Sequence, residues 1–325
     1  MPSLRARLVN RYLRLVMKPK RLDLIDPPVL RDWIERRVIA LLPKGVVRED
    51  VADGEVKGER LRPAEGTART VLYLHGGGYV FGSPRTHRTL TYPLALAAEA
   101  EVFAPAYRLA PEHPCPAAIE DAIAAYEWLL AAGRKAESIV VAGDSAGGGL
   151  ALAMLLALKE GRRPAPAGAV LFSPWTDLSG AGATMTSNAR SDAMFNRYSI
   201  LGGAPLYCGG LDPKDPLVSP LYGDLAGLPP LLVFASQSEM LYDDSKRLVE
   251  KAKEAGVAVR FESRRGLAHV WPLFHPLLPE AREALDIAGA FIRERTGEGG
   301  PISAFGRDER SLRRAPKVRS ERNPL

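Results

Sequence analysis

Ser145 is the residue whose setting most directly promises chemistry. It stands in Gly143-Asp144-Ser145-Ala146-Gly147-Gly148-Gly149, after the apolar run Ser138-Ile139-Val140-Val141-Ala142 and before the helix-forming stretch Leu150 to Lys159. A Gly-x-Ser-x-Gly sequence at a strand-to-helix junction turns the chain sharply and holds the serine in strained backbone, its hydroxyl clear of neighbours. The next N–H, that of Ala146, then points toward a bound carbonyl. Alone the motif is a weak signal, because roughly one glycine-rich chain in seven contains one by chance; the β-branched run before it and the Ala/Leu/Met-rich stretch after it supply the required context. Ser145 therefore reads as a nucleophile and not as a residue of an ordinary glycine turn.

A serine nucleophile needs donors for the oxyanion, a base and an acid. His75-Gly76-Gly77-Gly78-Tyr79 follows the apolar run Thr70–Leu74, which puts consecutive glycine N–H groups at the carboxyl end of a strand, where sites in open parallel sheets form. Fixed N–H donors there stabilise developing negative charge by a few kcal/mol each. Of the five histidines, only His269 and His275 lie downstream of Ser145, as the order serine, acid, histidine demands. His269 falls in the loop Gly266-Leu267-Ala268-His269 just past a strand, whereas His275 sits between Phe274 and Pro276 beside a helix start, so His269 is the preferred base. His75 reads as a brace for its glycine loop, and His87 and His113 as structural. The acid belongs after the run Leu231–Ala235, where Glu239, Asp243 and Asp244 qualify. Asp243 and Asp244 open the next helix, a common place for capping carboxylates. Glu239 is thus preferred, Asp243 stays open, and Asp177 is a distant third. Asp144 is expected to hydrogen-bond within the elbow, and Trp175, Tyr79, Phe81 and Trp271 are pocket or core aromatics.

The elements that must position these residues alternate strand and helix from Arg69 onward, which predicts parallel β-α-β units with helices on both faces. Strands are expected at Thr70–Leu74, Glu101–Pro105, Ser138–Ala142, Ala169–Phe172, Leu231–Ala235 and Val257–Glu262. Helices are expected near 86–99, 116–132, 146–160, 242–255 and 279–295. Val46–Val51 and Val56–Leu61 form a hairpin at the sheet edge. Residues 1 to about 42 read as two helices, the second from Val29 to Leu42, with Trp33 and Ile34 on its apolar side. Between Thr184 and Pro220 the pattern breaks into short pieces, too long for an ordinary connection, as lids often are.

With 325 residues, 46% of them apolar, the chain holds one large α/β domain plus an accessory element. Cys115 and Cys208 have no metal-like spacing and suit a reducing compartment. No long apolar run and no signal-peptide pattern occurs, so a soluble, cytoplasmic protein is expected. Of the net charge of +6, residues 1–21 contribute +7 and residues 297–325 contribute +3, leaving −4 on residues 22–296. Terminal basic residues on an acidic body argue against nucleic acid as a partner. The first segment carries Leu4, Leu8, Tyr12, Leu15 and Val16 at near-helical spacing among arginines; a helix packed on the domain is preferred over a membrane-surface helix. The tail from Gly297 has a disordered composition.

Taken together the motifs resemble those of the hormone-sensitive-lipase-like (bacterial family IV) esterases of the α/β-hydrolase fold. The resemblance rests on His75-Gly76-Gly77-Gly78, on Gly143-Asp144-Ser145-Ala146-Gly147-Gly148, on Tyr107-Arg108-Leu109-Ala110-Pro111-Glu112-His113-Pro114 with Pro116-Ala117-Ala118, and on Ser173-Pro174-Trp175-Thr176-Asp177. It spans about residues 45–295. It implies hydrolysis of small carboxylic esters of short to medium acyl length through an acyl-serine, without metal or organic cofactor; separately, a monomer or homodimer is expected. It also implies a cap built from residues 1–42 and 184–215 on a core of 43–183 and 216–296, with 297–325 as a tail, and oxyanion N–H groups from Gly77, Gly78 and Ala146. One departure stands out: Glu239-Met240-Leu241-Tyr242-Asp243 replaces the usual Asp-Pro-Leu-x-Asp, which keeps Asp243 open as the triad acid. A lactonase or amide hydrolase with the same triad is the first alternative, and a catalytically silent small-molecule binder the second.

Overall fold

The architecture comes from a computed structural model that describes residues 1–38 and 41–297. The tail expected to be disordered falls, from residue 298 on, outside the described residues. Its centre is an eight-stranded sheet in the order β1-β2-β4-β3-β5-β6-β7-β8. These strands are β1 Val46–Asp53, β2 Val56–Pro63, β3 Thr70–Leu74, β4 Glu101–Pro105, β5 Ile139–Asp144, β6 Gly168–Phe172, β7 Leu231–Ser236 and β8 Val259–Arg264. The hairpin β1–β2 pairs antiparallel and joins β4 antiparallel, at one edge; every other pairing is parallel. All residues of β3, β4, β5, β6 and β7 are buried, which is why these strands read as unbroken apolar runs while the edge strands do not.

Helices cover both faces. On one side lie α4 Ala117–Ala131, α5 Ala146–Glu160 and α9 Tyr242–Glu254; on the other, α3 Arg88–Ala98 packs against α10 Pro279–Thr296. The two faces of the sheet accordingly carry two separate apolar cores, one around Leu72, Val141 and Leu150 and one around Val71, Val140 and Leu285. Short helices α6 Thr184–Ser187, α7 Arg197–Leu201 and α8 Gly203–Cys208 occupy the segment between β6 and β7.

One expectation for the amino-terminal segment needs correction. The second helix, α2 Pro27–Glu35, stops well short of Leu42: a turn at Arg36-Arg37 ends it, with Asp32 O accepting the Arg36 N–H. The first helix, α1 Leu4–Val16, does pack on the domain, but through Ala6, Val9 and Leu13, while Leu4, Leu8, Tyr12, Leu15 and Val16 face outward. Leu13 meets Ala193 and Ala268, with Met17, Met194 and Phe274 around them. Polar tethers complete the docking: Asn10 Nδ2 donates to Gly266 O at 2.8 Å, and Lys18 Nζ to Ala189 O at 2.7 Å and Asp192 O at 2.6 Å.

Candidate active site

The turn between β5 and α5 holds Ser145 at φ 52°, ψ −121°, a left-handed conformation that costs a non-glycine residue about 1–3 kcal/mol and persists only where surroundings fix it. Here they do. The Ser145 N–H donates to Phe172 O at 2.9 Å, and Ser145 O accepts from Gly148, Gly149 and Trp175 N–H groups at 3.0, 3.1 and 2.9 Å. The helix then starts so close to β3 that a Cβ on Gly147 would lie 2.0 Å from Leu74 O, which only glycine permits. Ser145 Oγ makes no hydrogen bond among the described residues, in keeping with a hydroxyl clear of its neighbours.

Asp144 ties this elbow to the glycine loop after β3. Its buried carboxylate accepts from Tyr73 Oη at 2.6 Å and Gly76 N at 3.0 Å, and lies 3.4 Å from His87 Nε2. Burial opposes its charge, yet the His87 charge and the hydrogen bonds from His87 and Tyr73 hold the Asp144 carboxyl below its ordinary range. His87 is correspondingly raised: burial would lower it, and Asp144 outweighs burial. The other His87 nitrogen, Nδ1, is within 2.9 Å of Thr86 Oγ1 and 3.1 Å of Ser83 O. His75 braces the loop through Nδ1 and Gly76 O at 2.8 Å, stacked on Tyr107 at 4.2 Å. Burial and the neighbouring His87 push it down to about 3, so it is neutral. Beyond it Gly77 takes φ 123° and Gly78 φ 62°, and neither N–H finds a protein acceptor among the described residues.

On the other side of Ser145, the loops after β7 and β8 bring Glu239 and His269 together. Glu239 Oε1 accepts the Ser236 N–H at 3.0 Å, and Oε2 lies 2.8 Å from His269 Nδ1. Both side chains are buried. Burial would lower the His269 pKa, but the hydrogen bond and charge of Glu239, followed by Asp192 and Asp144, raise it above its ordinary value. The competing acids are engaged elsewhere. Asp243 caps α6 by accepting Thr184 N at 3.0 Å. Asp244 accepts the Thr176 and Asp177 N–H groups at 2.8 and 2.9 Å, and burial pushes it up to about 7. Asp177 pairs with Arg247 at 2.7 Å. His275 meets Tyr92 Oη at 3.2 Å on the α3–α10 side.

Ser145, His269, Gly77 and Gly78 line one cavity of about 100 Å³, with Phe81, Trp175, Met194, Phe195 and Leu241 among its apolar walls. A second chamber of about 410 Å³ shares Gly78, Phe81 and Ser199 with it and opens between the amino-terminal segment and α7–α8. Ala146 is buried as the first residue of α5, where helix N–H groups lack intrahelical acceptors. Of the four candidate aromatics, Trp175 and Phe81 line the cavity, whereas Tyr79 stacks on Tyr207 at 3.6 Å and Trp271 packs on Phe234 in the core.

Asp192 was not legible as a site residue. Its carboxylate accepts from Met194 and Phe195 N–H groups at 2.8 and 3.0 Å and from Met240 N at 2.9 Å. It thus joins the cavity-lining segment to the loop that carries Glu239. The one available signal is that Asp192 is the sole carboxylate between Asp177 and Asp212.

Comparison with known proteins is decisive for the family. A family model of the α/β-hydrolase fold matches residues 71–273. An acetyl-hydrolase of Streptomyces hygroscopicus is 47% identical over 256 residues, covering 78% of this chain and 86% of that protein. The chain belongs to the α/β-hydrolase family. An esterase of Acinetobacter venetianus is 40% identical, covering 72% of this chain and 78% of its own length. The crystal structure of an esterase from the bacterial hormone-sensitive lipase family superposes with a TM-score of 0.86 at 40% identity, covering 91% of this chain and all of that one. The hormone-sensitive-lipase-like protein is therefore an α/β hydrolase and a carboxylesterase, as its motifs predict. No helix among the described residues is long and apolar enough to cross a membrane.

Proposed function

We propose that this esterase cleaves esters of short acyl chains, with Ser145 as nucleophile, His269 as general base and acid, and Glu239 as the residue that orients the imidazole. The observation that carries the assignment is the 2.8 Å contact between Glu239 Oε2 and His269 Nδ1, which leaves Nε2 for the cavity that Ser145 also lines. His269 Nε2 takes the proton from Ser145 Oγ as Oγ bonds to the ester carbonyl carbon. The carbonyl electron pair moves onto oxygen, where the N–H groups of Gly77, Gly78 and Ala146 hold it. When the pair returns, the bond to the alcohol oxygen breaks and His269 gives that oxygen its proton. Water, deprotonated by His269, then attacks the acyl-serine, and the serine leaves with the proton as the acid departs.

Residues 1–42 and 184–215 act as the cap, and 43–183 with 216–296 as the core. Cavity size supports the acyl preference: about 100 Å³ is smaller than the roughly 150 Å³ apolar cavity that accepts benzene. The acyl group occupies this cavity and the alcohol part the larger chamber. A relative named acetyl-hydrolase accords with that reading. The test is hydrolysis of p-nitrophenyl esters from acetate to palmitate, beside acetates of alcohols of increasing size. Activity concentrated at acetate to butyrate, with tolerance of large alcohols, is expected; a maximum at ten carbons or more would overturn the acyl assignment. Phe195→Ala should shift the optimum toward longer acyl chains.

A further inference from the structure

The outward face of α1 has no part in the chemistry above, and its composition is unusual for solvent. Leu4, Leu8, Tyr12 and Leu15 recur at i, i+4, i+8 and i+11, so they share one stripe. They are 72%, 58%, 61% and 70% exposed, respectively. The opposite face, Ala6, Val9 and Leu13, is the one docked on the protein. Arg7, Arg11 and Arg14 run along one border of the stripe, and Arg5 stands on the other. Arg14 donates to Ser191 O at 2.9 Å, but Arg5, Arg7 and Arg11 have no ion-pair partner among the described residues. Residues 1–21 carry seven basic side chains and no acid.

We infer that α1 docks the protein on an anionic phospholipid surface, lying in the plane of the interface with Leu4, Leu8, Tyr12 and Leu15 among the acyl chains. An apolar stripe edged by cations on a helix parallel to the surface is the arrangement that such interfaces bind, the leucines through burial and the arginines through the headgroup charge. A second copy of the chain fits less well, because a two-fold contact through this face would set arginine rows against each other. Nucleic acid would leave the leucines in water. The position of α1 gives the docking a use: Leu13 packs on Ala268, next to His269, so the helix on the membrane would also roof the loop that carries the proposed base.

The experiment is co-sedimentation of the full chain with vesicles of phosphatidylcholine alone or with 30% phosphatidylglycerol, at low and high salt. The wild type is compared with Leu8→Ser/Leu15→Ser and Arg7→Gln/Arg11→Gln variants. Hydrolysis of a soluble ester, which these exposed positions should leave unchanged, certifies folding, and light scattering reports the oligomeric state. The wild type should bind the anionic vesicles about tenfold or more better than the neutral ones, lose that preference at high salt, and weaken about tenfold in each double variant. Equal binding to both vesicle types overturns the inference, as does variant binding equal to the wild type. A dimer that Leu8→Ser/Leu15→Ser dissociates would assign the face to a second copy instead.

Discussion

Two carboxylate–imidazole pairs flank Ser145, one on each side, built from the same chemical groups and hydrogen-bonded differently. In the Glu239–His269 pair the carboxylate holds Nδ1, and Nε2 is left for the cavity. In the Asp144–His87 pair both imidazole nitrogens are taken, Nε2 by Asp144 and Nδ1 by Thr86 and Ser83, while Asp144 also accepts from Tyr73 and Gly76. The first pair can carry a proton to and from substrate; the second is a clamp that fixes the elbow against the glycine loop. Burial and raised histidine pKa are common to both, so neither property separates a base from a brace. What separates them is the number of nitrogens already committed.

The largest effect should come from exchanging which pair is broken. His269→Ala is expected to lower kcat by about 10⁴-fold or more, while His87→Gln lowers it no more than about tenfold; the reverse order in steady-state kinetics of folded proteins would exchange the two roles. Glu239→Gln is next, with a loss of about 10³-fold, against little change in Asp243→Asn. It should also move the pH profile. The proposed base, His269, would work as neutral imidazole, and its pKa is raised above its ordinary value, so wild-type activity should disappear as pH falls through that raised value. Without the Glu239 charge, burial dominates and the acid limb moves to lower pH; an unmoved limb would mean that Glu239 does not face the titrating group.

The clamp should show itself in stability. His87 is raised in the folded state, so its pair stabilises fully below the unfolded histidine value and is lost as pH rises through the folded one. Breaking one member of a buried pair costs about 3 kcal/mol. Denaturant unfolding of His87→Gln should therefore show a deficit of that order at mildly acidic pH that narrows in alkaline solution. A deficit independent of pH would contradict the charged pair.

How far the sequence carries depends on what constrains each part. The buried parallel strands were readable because both faces demand apolar residues; β3 and β4 fall where expected, and β5 runs on to Asp144 because that residue still pairs with Phe172. Strand β8, expected from Val257, begins at Val259, since an edge strand leaves its start weakly marked. Ser145 and the glycine loop were readable because strained backbone needs particular residues. The choice of Glu239 over Asp243 was not forced by sequence, as both lie a few residues past β7; in three dimensions Glu239 Oε2 lies against His269 Nδ1 while Asp243 accepts from Thr184 N, which supports the proposed choice. That α1 packs on the domain was readable, but not which face docks: the large leucines look like core, whereas close approach favours the small Ala6. Asp192 lies in a segment without periodicity, and its hydrogen bonds go to backbone groups 48 residues apart from it or next to it in sequence, which no local pattern records.

The most direct test is to label the protein with diethyl p-nitrophenyl phosphate and locate the adduct by peptide mass spectrometry. One diethylphosphoryl group should appear on Ser145, with p-nitrophenol released in equal amount. The reaction should slow by orders of magnitude in His269→Ala and Glu239→Gln, and stay near wild-type speed in His87→Gln. An adduct on another residue, or undiminished labelling of His269→Ala, would contradict the account.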